Sequence, residues 1–358
     1  MHSSCARDRG FREHQGGREP GRLLDRQSAF ARSLSIISGF IFLTALFAAC
    51  GGGDDEAGDG WETVMSGLPA ALTSVWGTSS SDIWAIGGDP EDAGNTVMHF
   101  DGAQWQAMTT GATGDLWWVY GFRGGSVFMG GANGLILRYR DGAFEQMETP
   151  GRATVYGIWG TSETDLWAVG GDVGAGAFAW RYDGSAWKEA QGFPPVLVNS
   201  ASLFKVSGAA ADDVWMVGTE GLILHYDGDR ITQVASATTR DLFTVAGGGG
   251  VVAAVGGFGT GVIVENDGEG WADVTPEGTP HVIGVWLGDD ETGYAAGLDG
   301  AVLMRRDGEW KAIDTGIKVK GALHTVWVDP EGGVWAVGGQ VLSSPLVDGI
   351  MIHKSSGD

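Results

Sequence analysis

From about residue 60 onward, apolar positions fall in short runs separated by polar breaks at regular intervals, and no helical period of useful length appears. The phrase TSVWGTSSSDIWAIGG at residues 73–88 returns as GIWGTSETDLWAVGG at 157–171. Aligning every copy on this step gives Trp76, Tyr120, Trp159, Ser207, Ala246, Trp286 and Trp327, spaced 44, 39, 48, 39, 40 and 41 residues apart. The residue before each is β-branched and apolar: Val75, Val119, Ile158, Val206, Val245, Val285 and Val326. Eight positions after the anchor a second aromatic recurs, as Trp84, Phe128, Trp167, Trp215, Tyr294 and Trp335, while the fifth copy reads VVAAVGG. Each unit goes on to a short apolar alternation and an Asp-Gly, as in VMHFDGAQW and LILHYDGDRI. Asp-Gly between alternating segments predicts a tight hairpin with both central residues at φ > 0. Four short strands repeated about every 42 residues predict an all-β, seven-bladed β-propeller of four-stranded blades.

The two ends of the repeat predict how the ring closes. The seventh unit runs out at MIHKSSGD, its third strand, while DGWETV at residues 59–64 matches a fourth strand and precedes any first strand. Residues 61–64 are therefore expected to complete the last blade, which leaves no open edge.

The unit D-x-W-A-V-G, then G-x-I-L-x-Y-D-G, then Trp resembles the repeats of seven-bladed propellers of the photosystem II assembly-factor and Asp-box (sialidase-like) type. The resemblance covers residues 61–358 and implies the fold; such propellers include glycosidases, lyases, receptors and assembly factors, so it leaves function open. The full Asp-box, with its Ser, is reduced here to Tyr-Asp-Gly, and no Asp-box activity carries over.

The first 49 residues have a different character. Seven Arg precede the apolar run SLSIISGFIFLTALFAA from Ser33 to Ala49, and Cys50 opens a Gly- and Asp-rich stretch to residue 60. An export signal is expected over 1–49, with the translation start lying downstream of Met1, because the stretch before the apolar run is long and carries four acidic residues. L-F-A-A-C resembles the lipobox of bacterial lipoproteins, with Phe47 where Leu is usual. That resemblance implies lipidation of Cys50, a membrane link through acyl chains, and a place in the cell envelope, at the outer membrane. Without the leader the chain holds 15 Lys plus Arg against 41 Asp plus Glu. A nucleic-acid partner is excluded on that charge, since a phosphate backbone needs a concentrated basic surface. Cys5 falls in the leader and Cys50 at its end, which leaves no thiol for a disulfide or a metal, and a monomeric propeller held by packing is expected.

Most of the 16 Trp recur at equivalent slots and are read as blade-packing residues rather than sugar platforms. His99, His225 and His353 share one third-strand slot with Arg138, Arg181, Glu265 and Arg305; they are read as solvated outward positions, and no metal site, cofactor or catalytic residue is assigned. A ligand site is expected where the copies differ, on the face that carries the second-to-third-strand and blade-to-blade connections. The candidates there are Arg152, Arg240, His281, Lys318 and Lys320, together with Trp118, whose slot is held elsewhere by Ser74, Gly157, Lys205, Thr244, Gly284 and Thr325. They predict a mildly basic, aromatic-edged mouth for an anionic group of a glycan or a peptide. The function expected is a lipid-anchored, non-catalytic binding or scaffold module for a glycan, peptide or protein partner. The alternative is a sialidase-like hydrolase or a lyase on acidic polysaccharide, for which three Arg would have to converge with carboxylates.

Overall fold

A computed structural model describes residues 60–172, 176–195, 197 and 201–357. The leader expected over 1–49, Cys50 with its expected lipidation, and the linker up to Asp59 lie outside the described residues.

Among the described residues, 28 strands form seven four-stranded antiparallel sheets. Blades 1 to 6 take their strands in chain order from residues 72–107, 116–146, 155–189, 203–234, 242–273 and 282–313. Blade 7 takes three strands from residues 322–354 and its outermost strand from Trp61–Ala70, paired so that Trp61 faces Lys354, Thr63 faces Ile352 and Ala70 faces Val347. The closing strand thus runs six residues beyond the expected 61–64. Each innermost strand packs on that of the next blade, the seventh on the first, and the ring is complete.

Burial falls off from the second strand outward. Second strands such as DIWAIG and DVWMVG are apolar and buried at every position after the opening Asp, because blades cover both of their faces, whereas outer strands such as WQA are mostly exposed. The repeated Trp do pack blade on blade: Trp61, Trp84, Trp167, Trp187, Trp215, Trp310, Trp327 and Trp335 are all buried.

The Asp-Gly turns are of two kinds. In blades 2 and 6 the hairpin has two residues, with Asp141 at φ 51° and Gly142 at 83°, and Asp307 at 53° and Gly308 at 79°, as the sequence predicts. In blades 1, 3, 4 and 5 the connection is four residues long, only the Gly has positive φ, and the Asp carboxylate does the work instead. Asp101 accepts the backbone N–H groups of Ala103 and Gln104, and Asp227 those of Asp229 and Arg230.

The third-strand slot corrects the sequence reading. His99, His225 and His353 are not simply solvated: each stacks on the second-strand Trp of its blade, at 4.1, 4.0 and 4.0 Å between ring centroids. His99 and His225 also pair with Asp82 and Asp213, each at 2.8 Å. Arg181 fills the slot in blade 3, over Trp167 at 5.1 Å and 2.9 Å from Asp165. In blade 6 the slot residue Arg305 is 4% exposed and reaches Glu265, the slot residue of blade 5, through two nitrogens at 2.8 and 3.1 Å. A flat cation or imidazole is favoured there because it covers an indole face and meets the Asp that opens the second strand.

Candidate functional site: an axial aromatic cavity

In all seven blades the ladder between the first and second strands skips one residue near the start of the first strand. The residues skipped are Thr73, Trp117, Tyr156, Phe204, Phe243, Ile283 and His324, each three positions before the anchor. A bulge of this kind leaves one residue out of the pairing pattern and re-aims its side chain. Repeated around the ring, it places one freely varying residue per blade about the propeller axis.

Six of these seven line a cavity of about 180 Å³. Four of them form an arc of ring contacts, with centroids 5.4 Å apart for Trp117 and Tyr156, 5.8 Å for Tyr156 and Phe204, and 5.4 Å for Phe204 and Phe243. His324 continues the arc at 5.8 Å from Trp117, across the small Thr73. Phe258 and Leu342, from the second-to-third-strand connections of blades 5 and 7, stand at the rim. They are 67% and 52% exposed, and are the large apolar side chains left exposed among the described residues. The cavity therefore opens on the face of the variable connections.

Three of its polar side chains can carry positive charge, and the others are the neutral Thr244, Tyr156 and Trp117. Lys205 is 4% exposed; its Nζ donates to the Tyr156 carbonyl at 3.0 Å and lies 3.5 Å from the centroid of the Trp118 ring. Burial drives its pKa well below the usual lysine value. His324 donates through Nδ1 to the Thr73 carbonyl, and burial, then the neighbouring Lys205 charge, pushes its pKa down to about 3, so the ring is neutral with Nε2 as an acceptor. His281 is 3% exposed, its Nε2 is buried with no hydrogen-bond partner, and burial lowers its pKa. No Asp, Glu or Arg lines the cavity.

Close approach of the inner strands makes room for this arrangement. A Cβ on Gly157 would sit 3.0 Å from both Lys205 Cα and Val206 N, and one on Gly284 would sit 2.7 Å from the His324 carbonyl. Neither blade could carry a side chain at that slot without moving backbone.

The residues expected from the sequence are only partly brought together. His281 lines the cavity, and Trp118 lies under the Lys205 ammonium with its indole N–H on the Ile158 carbonyl at 3.0 Å. Arg152 and Lys318 are exposed and do not border the cavity. Arg240 is exposed and donates to the Thr260 carbonyl at 2.6 Å, bracing the loop that carries Phe258. Lys320 is neutralised by Asp348 at 2.7 Å. The basic character lies deeper, at Lys205 and the two histidines. Its signal in the sequence is the run of aromatics three positions before the anchor, Trp117, Tyr156, Phe204 and Phe243 in consecutive copies, one residue before the Trp118 slot.

A wider depression of about 600 Å³ lies on the opposite face against Trp286, Tyr294, Trp327, Asp289 and Asp290. Asp289 and Asp290 are exposed, the third Asp of its wall, Asp329, is buried and accepts from the Glu331 and Gly333 backbone N–H groups and the Trp335 indole, and none of the buried polar atoms lacking a partner belongs to the depression.

The molecule is thus a seven-bladed propeller with an aromatic axial cavity that Lys205, His281 and His324 help to line. No protein-family model matches the chain, and no curated protein does. Among solved structures it is similar to YCF48 from Cyanidioschyzon merolae, with a TM-score of 0.63 and 15% identity over 84% of this chain and 100% of that one. It is also similar to YCF48 bound to D1 peptide, with a TM-score of 0.62 and 15% identity over 83% of this chain and 97% of that one. The GH74 xyloglucanase from Xanthomonas campestris matches with a TM-score of 0.60 and 15% identity, over 81% of this chain and 55% of that chain. At such identities the likeness is one of fold.

Proposed function

We propose that this propeller is a binding or scaffold module of the cell envelope that captures a peptide or protein partner on its variable face, with an apolar group of the partner seated in the axial cavity. The observation that carries the reading is the pair Phe258 and Leu342, exposed at the rim of a pocket walled by aromatic rings. Apolar side chains held in water beside a preformed pocket gain on contact with a partner, at roughly 25 cal/mol per Å² covered. The structure of YCF48 with D1 peptide gives a precedent on the same fold. A glycosidase of the usual kind needs two carboxylates flanking the scissile bond, and the cavity wall supplies none, so binding is the better supported reading.

Tethering belongs to the same proposal. The lipobox-like L-F-A-A-C supports export and acylation at Cys50, with the propeller held by its acyl chains at the outer membrane. Metabolic labelling with a radioactive fatty acid should mark the natural chain and leave Cys50→Ser unlabelled. For the binding face, a photo-crosslinking residue at Phe258 or Leu342 should trap a discrete partner, while one at the exposed Glu309 should not. Equal trapping at all three positions would remove the reading.

A further inference from the structure

The binding reading leaves open what chemistry the floor of the cavity selects, and Lys205 bears on that directly. Two cationic residues of this fold are each 4% exposed. Arg305 has a carboxylate on two of its nitrogens, with Glu265 at 2.8 and 3.1 Å. Lys205 has one carbonyl and one aromatic face, and among the described residues no carboxylate is within ion-pairing distance of it. Burying an ammonium without a counter-ion is costly, and at Arg305 the fold meets that need with Glu265, one of the 45 Asp and Glu in the chain. At the cavity it offers instead an unpartnered His281 Nε2 and the His324 ring.

We propose that the axial cavity receives a carboxylate carried on one apolar or aromatic group, with the Lys205 ammonium as its counter-ion and the ring arc of Trp117, Tyr156, Phe204 and Phe243 around its body. This rests on the binding reading above and names the ligand's chemistry. The size agrees: an apolar cavity of roughly 150 Å³ takes up benzene, so about 180 Å³ holds one ring or a branched aliphatic chain with its acid group. The shared chemistry has two sources, a free arylalkanoic acid and the C-terminal residue of a peptide.

The test is calorimetry on the full chain with four probes: 3-phenylpropanoate, 3-phenylpropanol, N-acetyl-Ala-Phe with a free carboxylate, and its C-terminal amide. Each acid should bind about tenfold or more tighter than its neutral counterpart, the factor expected for a charge-assisted hydrogen bond. Binding of 3-phenylpropanoate alone would identify a free acid as the source, and binding of the peptide acid a chain terminus; either supports the proposal. Lys205→Met keeps the side-chain volume and should abolish the preference for acid over alcohol. Equal affinity of acid and neutral probe on the unaltered chain would overturn the proposal whatever the variant does, as would an undiminished preference in Lys205→Met. Crosslinking at Phe258 reads the binding function separately: its persistence in Lys205→Met would leave that function standing while the carboxylate chemistry fell.

Discussion

Trp61 is the residue on which closure of the ring should turn. It opens the N-terminal strand, is 1% exposed, and packs among Tyr294, Val302 and Ile350, so it joins blade 7 to blade 6. A buried indole covers about 150–250 Å², which at about 25 cal/mol per Å² is worth ~4–6 kcal/mol. Allowing for apolar contact retained in the unfolded chain brings this to about 3–5 kcal/mol, the range measured for large aromatic-to-Ala truncations. The fold contains its own control. Trp105 occupies the equivalent fourth-strand slot of blade 1, is only partly buried, and closes nothing. Urea unfolding followed by tryptophan fluorescence should show Trp61→Ala losing about 3–5 kcal/mol and Trp105→Ala about half of that or less. Limited proteolysis should cut Trp61→Ala within residues 61–71, where the freed strand exposes its backbone, and leave Trp105→Ala intact there. Equal losses in the two variants, with no new cleavage, would refute the view that this strand is the fastener.

Three further outcomes follow from buried groups. Because the folded pKa of His324 is about 3 against 6.5 in the unfolded chain, its contribution is fully present above pH 6.5 and is lost as pH falls toward 3. Between pH 7 and 5, wild type should therefore lose at most about 2 kcal/mol more than His324→Gln, read from unfolding midpoints at the two values, the side chain being half-buried rather than enclosed. Lys205→Met should raise stability at neutral pH by about 1–3 kcal/mol, the size of relieving one poorly satisfied buried polar group, even as it removes acid binding; a fall in Tm would contradict the account of that site. Glu265→Ala, which leaves the buried Arg305 with only its Glu291 contacts and the Trp310 indole N–H without its acceptor, should cost about 2–4 kcal/mol, while Asp229→Ala, whose Arg230 partner is exposed, should stay within about 1 kcal/mol by the same assay.

The fold was legible because blade packing repeats, and a contact made seven times writes the same residue types seven times. Val before the anchor, Trp at the second strand and the orphan fourth strand at Trp61 were all visible in that way. The site was not, for two physical reasons. A bulge shifts the axis-facing residue by one, and nothing in hydrophobic alternation marks where a ladder skips, so the sequence points to Trp118 while its neighbour Trp117 lines the cavity. Charge, too, says nothing of pairing: Lys320 and Lys205 look alike in sequence, yet one is exposed and bound to Asp348 while the other is buried with no acid. The same blindness made the third-strand histidines look solvated, when His99, His225 and His353 lie flat on indoles.

The seven bulges carry a consequence for how such a chain can change. A residue left out of the ladder is also released from the demand that holds its neighbours to Val or Trp, which is why Thr, Trp, Tyr, Phe, Ile and His can all occupy that position here. Positions 73, 117, 156, 204, 243, 283 and 324 form a combinatorial alphabet written on a constant frame. Randomising those seven should yield folded rings far more often than randomising any seven of the packing slots, so the lining of the axis can change while the architecture stays.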